Sequence, residues 1–198
     1  MVKSYQKKTS VKRIVFKSFI KRNFCDFTLS TIDTELLFKG KVYKRAIQLE
    51  GTSIVIIPLL YYDELIKTIL VSQFRAPLGT ENLEFPSGSS EFTNLKKSAK
   101  KEIEEELGLK IPLKNIHQLN KKPIYMLPSN NFSQVYYFFF KKKIDKNFYK
   151  KIKNKTYGKL DEGEFITLKL VDIKKILNYT NSASVMIGYT LINEYEIL

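Results

Sequence analysis

The 198-residue chain has no tryptophan, one cysteine and one histidine, and each scarcity closes off a class of chemistry. The single cysteine, Cys25, excludes a disulfide within the chain, and so few thiols suit a reducing compartment. A cytoplasmic location is therefore expected, with the mitochondrion and the nucleus as alternatives. With His117 as its one histidine, the chain cannot build a Cys/His zinc site by itself, and His117 reads as an ordinary strand or loop residue. Neither a Gly-x-x-x-x-Gly-Lys-Ser/Thr phosphate loop nor a Gly-x-Gly-x-x-Gly fingerprint occurs. No apolar run approaches the roughly 18 residues of a membrane span, and the richest, Phe132 to Phe140, is short and bracketed by charge. No membrane association is expected.

Acidic residues are also scarce. The chain has 20 Asp and Glu against 34 Lys and Arg, a formal net charge of +14, and the excess is unevenly placed. Residues 1–50 carry 12 Lys/Arg against 4 Asp/Glu, and residues 141–159 carry 9 lysines against Asp145, a balance of +8 in each block. Such blocks favour polyanions, so one reading makes RNA or another polyanion a partner of both segments, with Tyr149 and Tyr157 available to stack on bases. The alternative is a solvated surface in a chain biased throughout toward Lys, Asn and Ile.

Against this background, residues 101–109, Lys-Glu-Ile-Glu-Glu-Glu-Leu-Gly-Leu, invert the local charge. On a helix, Glu102, Glu105 and Glu106 fall within an arc of about 100°, while Glu104 points away. Like charges four residues apart cost a helix about 0.2–0.5 kcal/mol per pair, a penalty that a divalent cation removes. Oxygen ligands select Mg²⁺, Mn²⁺ or Ca²⁺. A solvated acidic face is the competing explanation, and the flanks weigh against it. Leu95, Ala99, Ile103 and Leu107 form an apolar stripe beside the acids, Thr93 or Asn94 can cap the start, and Gly108 can end the helix. Upstream, Leu83-Glu84-Phe85-Pro86-Ser87-Gly88 reads as a short strand entering a tight turn.

The rest of the chain reads as strands with a few helices. Ser53 to Tyr61 and Lys67 to Phe74 are β-rich and joined by a polar turn, with further strands at Gln134 to Phe140 and Phe165 to Leu170. Val185, Tyr189, Ile192 and Glu196 recur at helical spacing near the C-terminus. Val11, Ile14, Val15 and Phe19 also fit a helical face, in a basic stretch that has the composition of a mitochondrial presequence. An α+β class follows, with residues 1–50 as a basic extension with strands and 51–198 as the main domain.

Five segments carry a family resemblance. Residues 101–109 match the second half of the Nudix box at every position except its arginine, here Lys101. The runs Gln73-Phe74-Arg75-Ala76-Pro77-Leu78-Gly79 and Leu83-Glu84-Phe85-Pro86-Ser87-Gly88 resemble the ADP-ribose pyrophosphatase branch of the Nudix hydrolases. So do Pro123 to Ser129 and Asp161-Glu162-Gly163-Glu164-Phe165. The resemblance spans roughly residues 35–195.

It implies a Nudix-type α/β/α sandwich with a mixed sheet and a strand-loop-helix catalytic unit. It further implies metal-dependent hydrolysis of ADP-ribose or a related nucleoside diphosphate sugar to AMP and a sugar phosphate. The cation would be Mg²⁺ or Mn²⁺, held by Glu102, Glu106 and the Ser87 carbonyl, with Glu105 a third ligand or a base. Glu164 would position the attacking water, and Arg75 and Glu84 would contact substrate. A homodimer completed by residues 1–50 is implied, and without tryptophan the candidate adenine platforms are Phe38 and Tyr43. The chain departs from the box in three places. The first glycine aligns with Ser87 while a glycine stands at 88, the next acid aligns with Thr93 beside Glu91, and Lys101 lacks the arginine fork, which implies a less rigid acidic cluster and lower activity. The alternative is a Nudix-fold RNA or ribonucleoprotein binding module with weak or no catalysis.

Overall fold

The structure, a computed structural model, describes residues 11–24, 27–38, 41–90, 94–129, 131–152, 156–157 and 166–198, with 11–24, 27–38 and 156–157 as backbone only. The chain divides into two compact units, one of residues 1–51 with 125–134, the other of residues 52–124 with 135–198.

In the first unit, β1 (Val11–Phe24) and β2 (Phe27–Phe38) form an antiparallel hairpin closed at Phe24 and Phe27. β2 pairs in turn with the start of β3 (Lys41–Tyr62), from Phe38 against Lys41 to Ser30 against Leu49. The helical face expected from Val11, Ile14, Val15 and Phe19 is therefore a strand. Val, Ile and Phe make up half of β1, and such residues fit a pleated surface better than a helix.

The second unit is built on the far half of β3. A two-residue turn at Asp63 and Glu64, with Asp63 left-handed at φ 50°, leads into β4 (Leu65–Arg75). The β3/β4 register covers Leu60–Tyr62 against Leu65–Lys67, and a second run of chain inserts farther along. Its first part, β5 (Thr80–Glu84), pairs with β4, and its second, β6 (Ser87–Ser89), pairs with Ser53–Val55 of β3. Phe85 and Pro86, both buried, cross between them, and the Pro86 carbonyl accepts from Ile56 N–H at 2.8 Å. Ser87-Gly88, expected in a tight turn, is thus strand, because the open edge of β3 supplies it with ladder hydrogen bonds.

Then follow α1 (Leu95–Leu107), β7 (Ile116–Gln118), β8 (Ile124–Tyr125), β9 (Asn131–Lys143), α2 (Lys146–Ile152), β10 (Thr156–Tyr157), β11 (Ile166–Asp172) and α3 (Ala183–Glu194). β11 pairs antiparallel with β4 and β10 with β11, β7 pairs with β9, and β9 adjoins β3. On one face of this sheet, Ala99, Ile103 and Leu107 of α1 and Ile152 of α2 enter a cluster with Ile54, Ile56, Ile69, Val71, Phe138 and Ile166. On the other, Gly188 of α3 lies against Phe85 and Ile57, and the Tyr137 hydroxyl donates to the Ser184 carbonyl at 3.2 Å. Burial raises the Tyr137 phenol far above its ordinary range. Helix, sheet and helix form three layers, as expected for the α/β/α sandwich.

Candidate active site

α1 starts and stops where its sequence dictates. The Asn94 side chain accepts from the Lys96 and Lys97 N–H groups at 3.1 and 3.3 Å, and Gly108 takes the left-handed φ of 61° that closes the last turn. Between these caps the stripe of Ala99, Ile103 and Leu107 fixes how the helix rolls on the sheet, and the roll turns a second line of residues toward β6.

That line is Ser98, Glu102 and Glu106, one residue per turn. Ser98 and Ser90 share a hydrogen bond between hydroxyls at 2.9 Å. The Glu102 carboxylate lies where a Cβ on residue 88 would stand, so it reaches the β6 backbone only because Gly88 lacks one. Glu106, 8 % exposed, accepts from the Ser87 N–H at 3.0 Å. Three successive turns of α1 therefore meet Ser90, Gly88 and Ser87 in order. Two carboxylates, four residues apart, are thereby brought to adjacent residues of one strand.

Glu105 is turned elsewhere. Its carboxylate lies 3.8 Å from Lys101, half-exposed, while Glu104 pairs with Lys100 at 2.7 Å on the solvent side. Among the described residues, no three Asp, Glu, His or Cys side chains converge as a metal-holding group. The three-carboxylate arc expected from the helical wheel is thus two acids on β6 and one drawn to a lysine. The donor set facing β6 is all oxygen and fits a hard divalent cation, and the missing Cβ of Gly88 is what lets the Glu102 carboxylate join it.

Arg75 and Glu84 are brought together as an ion pair. Arg75 Nε and Nη2 donate to the two Glu84 oxygens at 3.0 and 2.7 Å, and Asn82 Nδ2 adds a third donor at 2.9 Å. Val71 belongs to the cluster under α1, Glu84 stands opposite it across the β4/β5 ladder, and Arg75 lies four residues along β4. By strand alternation both side chains share the α1 face of the sheet. On the alternate face Ser72 donates to Glu81 at 2.7 Å beside a half-open cleft of about 630 Å³ that Thr167, Lys169 and Tyr149 help to line.

Glu164, Glu91 and Thr93 lie outside the described residues, as do the side chains of Phe38 and Tyr43. His117 is exposed and stacks on Phe139 with ring centroids 5.1 Å apart, without an acidic neighbour to make it a base among the described contacts. Sequence reasoning missed Ser98, Ser90 and Asn82. The spacing of 98, 102 and 106 was the available signal for the first.

No family model matches the chain. It is 24 % identical over 150 residues to Nudix hydrolase 14, chloroplastic, of Arabidopsis thaliana, an alignment that takes in 71 % of this chain and 48 % of that protein. The chain thus spans about half the length of the curated relative it matches. Among solved structures it is similar to one described as an ADP compounds hydrolase, with a TM-score of 0.62 and 14 % identity over 94 % of this chain and 95 % of that one. The chain resembles a Nudix hydrolase in sequence and takes the fold of an ADP compounds hydrolase.

Proposed function

We propose that the chain is a Mg²⁺- or Mn²⁺-dependent hydrolase that splits the pyrophosphate of ADP-ribose, or of a related nucleoside diphosphate sugar, into AMP or the corresponding nucleotide and a sugar phosphate. The observation that carries this reading is the contact of Glu102 and Glu106, one helical turn apart, with Gly88 and Ser87. The likeness to a Nudix hydrolase and the fold shared with an ADP compounds hydrolase support it.

A pyrophosphate is polyanionic, and bare carboxylates repel it. Glu102, Glu106 and the Ser87 carbonyl would hold the cation, which when bound supplies charge neutralisation at the phosphate oxygens and makes water more acidic. In the reaction, water oxygen bonds to one phosphorus, the bridging oxygen leaves with the other, and a proton is released. Glu105 serves as a third ligand or as the base, and Glu164 orients the water. Glu84, held by Arg75 and Asn82, is fixed as an acceptor for substrate hydroxyls, and Arg75 presents positive charge beside it. The reading extends to a homodimer, as the family resemblance implies.

Purified protein with Mg²⁺ should release AMP from ADP-ribose, and Glu105→Gln or Glu106→Gln should abolish release while the chain stays folded. Turnover that survives both substitutions would sink the assignment. Silence of the wild type toward a panel of nucleoside diphosphate sugars would favour the binding module instead.

A further inference from the structure

Residues 141–151 hold six lysines against one aspartate, and they belong to the second unit. The end of β9 supplies Lys141, Lys142 and Lys143, and α2 supplies Lys146, Lys150 and Lys151. The Ile144 N–H donates to the Tyr61 carbonyl at 2.9 Å, so this segment is anchored at the end of β3. Its one acid, Asp145, accepts from the Phe148 N–H at 2.7 Å and serves the first turn of α2.

Aromatic rings interleave with the lysines. Lys141 Nζ lies 5.9 Å from the Tyr61 ring centre and Lys142 Nζ 5.8 Å from that of Phe148. The rings of Tyr62 and Tyr149 pair at 5.9 Å with 37° between their planes. Lys143, Lys146, Lys150 and Lys151 are exposed. Tyr149 also lines the cleft of about 630 Å³ whose polar groups include Ser72, Glu81, Thr167 and Lys169.

We propose that this face binds single-stranded nucleic acid, with its exposed lysines along the phosphates and Tyr149 taking a base at the mouth of the cleft. A positive track with aromatic platforms is the recurring solution for single strands, because every base has a face to stack while lysine neutralises any phosphate. The absence of arginine from the segment removes the fork that reads guanine edges in duplex grooves, so binding is sequence-tolerant. An acidic membrane fits less well. The exposed residues of α2 are Lys146, Asn147, Lys150 and Lys151, and none is apolar enough to enter a bilayer. The inference is independent of hydrolysis and stands or falls by binding alone.

The test is fluorescence anisotropy of labelled 12-residue oligouridylate and oligothymidylate titrated with the full chain, repeated across salt concentrations. A triple reversal, Lys143→Glu with Lys146→Glu and Lys150→Glu, should weaken binding at least tenfold, and the Lys→Gln triple should fall between it and the wild type. At about −0.7 per phosphate contact for single strands, the log–log salt slope should be shallower by about 2 in the triple variants. Tyr149→Ala should lower affinity several-fold while leaving that slope alone. Thermal midpoints close to that of the wild type establish that the variants are folded. Binding unchanged by the reversals, or a wild type that ignores both oligomers at about 50 mM salt, overturns the proposal. Flotation with phosphatidylserine vesicles in place of oligomer binding would assign the surface to membranes and overturn it equally.

Discussion

At the scale of single residues the site depends as much on a missing atom as on its acids. Gly88 has no left-handed φ that would demand glycine, since the positive-φ glycines among the described residues are Gly51, Gly79 and Gly108. Alanine therefore fits its backbone, yet the added Cβ would overlap the Glu102 carboxylate. That carboxylate is the far end of a flexible side chain and can swing aside at little cost to the fold. Gly88→Ala should consequently lower kcat/KM for ADP-ribose by at least tenfold while moving the thermal midpoint by only a degree or two. Equal losses of activity and stability would mean that Gly88 serves packing alone. The sequence showed which carboxylates share a side of α1, because their angular positions follow from spacing. It could not show that Glu105 leans to Lys101, a choice between neighbours that depends on side-chain rotamers and solvent.

At the scale of elements, α1 carries its charges against its own dipole. Lys96, Lys97, Lys100 and Lys101 occupy its first two turns, with no acid in the first, and Glu102, Glu104, Glu105 and Glu106 fill its second half. Lys100–Glu104 and Lys101–Glu105 also place the cation on the N-terminal side of each pair, the weaker order. Little but the two caps and the apolar stripe offsets this, so the N-cap matters more than usual. Asn94→Ala should destabilise the second unit by about 1–2 kcal/mol, and Asn94→Asp, which adds a carboxylate beside four lysines at the positive end, should raise stability above the wild type. Urea midpoints of the three proteins check the order. The helix was legible because Asn94, Gly108 and the stripe are local signals. β1 was not: a helical subset such as Val11, Ile14, Val15 and Phe19 can be drawn from a run that is half apolar, provided Phe16 and Ile20 are set aside. What decides for strand is β2, a partner that no local window contains. β3 was found only from Ser53 onward, since the lysines and arginine of residues 41–45 hide its first half.

At the scale of the whole molecule, a chain of charge +14 brings two carboxylates, Glu102 and Glu106, to adjacent residues of one strand, an arrangement that a bound divalent cation would stabilise. Linkage turns this into a measurement. A ligand that binds the folded form alone stabilises it by RT ln(1 + [L]/Kd), about 2.7 kcal/mol at a hundred times Kd. For a chain of this size each kcal/mol moves the thermal midpoint by about 2–4 °C, so saturating Mg²⁺ should raise it by several degrees. The comparison must be made against NaCl at matched ionic strength, because screening of two +8 blocks by any salt also relieves self-repulsion. Only the increment beyond NaCl belongs to the site. That increment should vanish in Glu102→Gln and Glu106→Gln, which keep the size and an acceptor oxygen of each side chain while removing its charge. It should persist in Glu104→Gln, whose carboxylate pairs with Lys100 on the solvent side. If all three variants keep the increment, the cation binds elsewhere and the two acids on β6 have a structural role. If Glu104→Gln alone loses it, α1 binds the cation through its outer face, and the contacts to Ser87 and Gly88 only hold the helix in place.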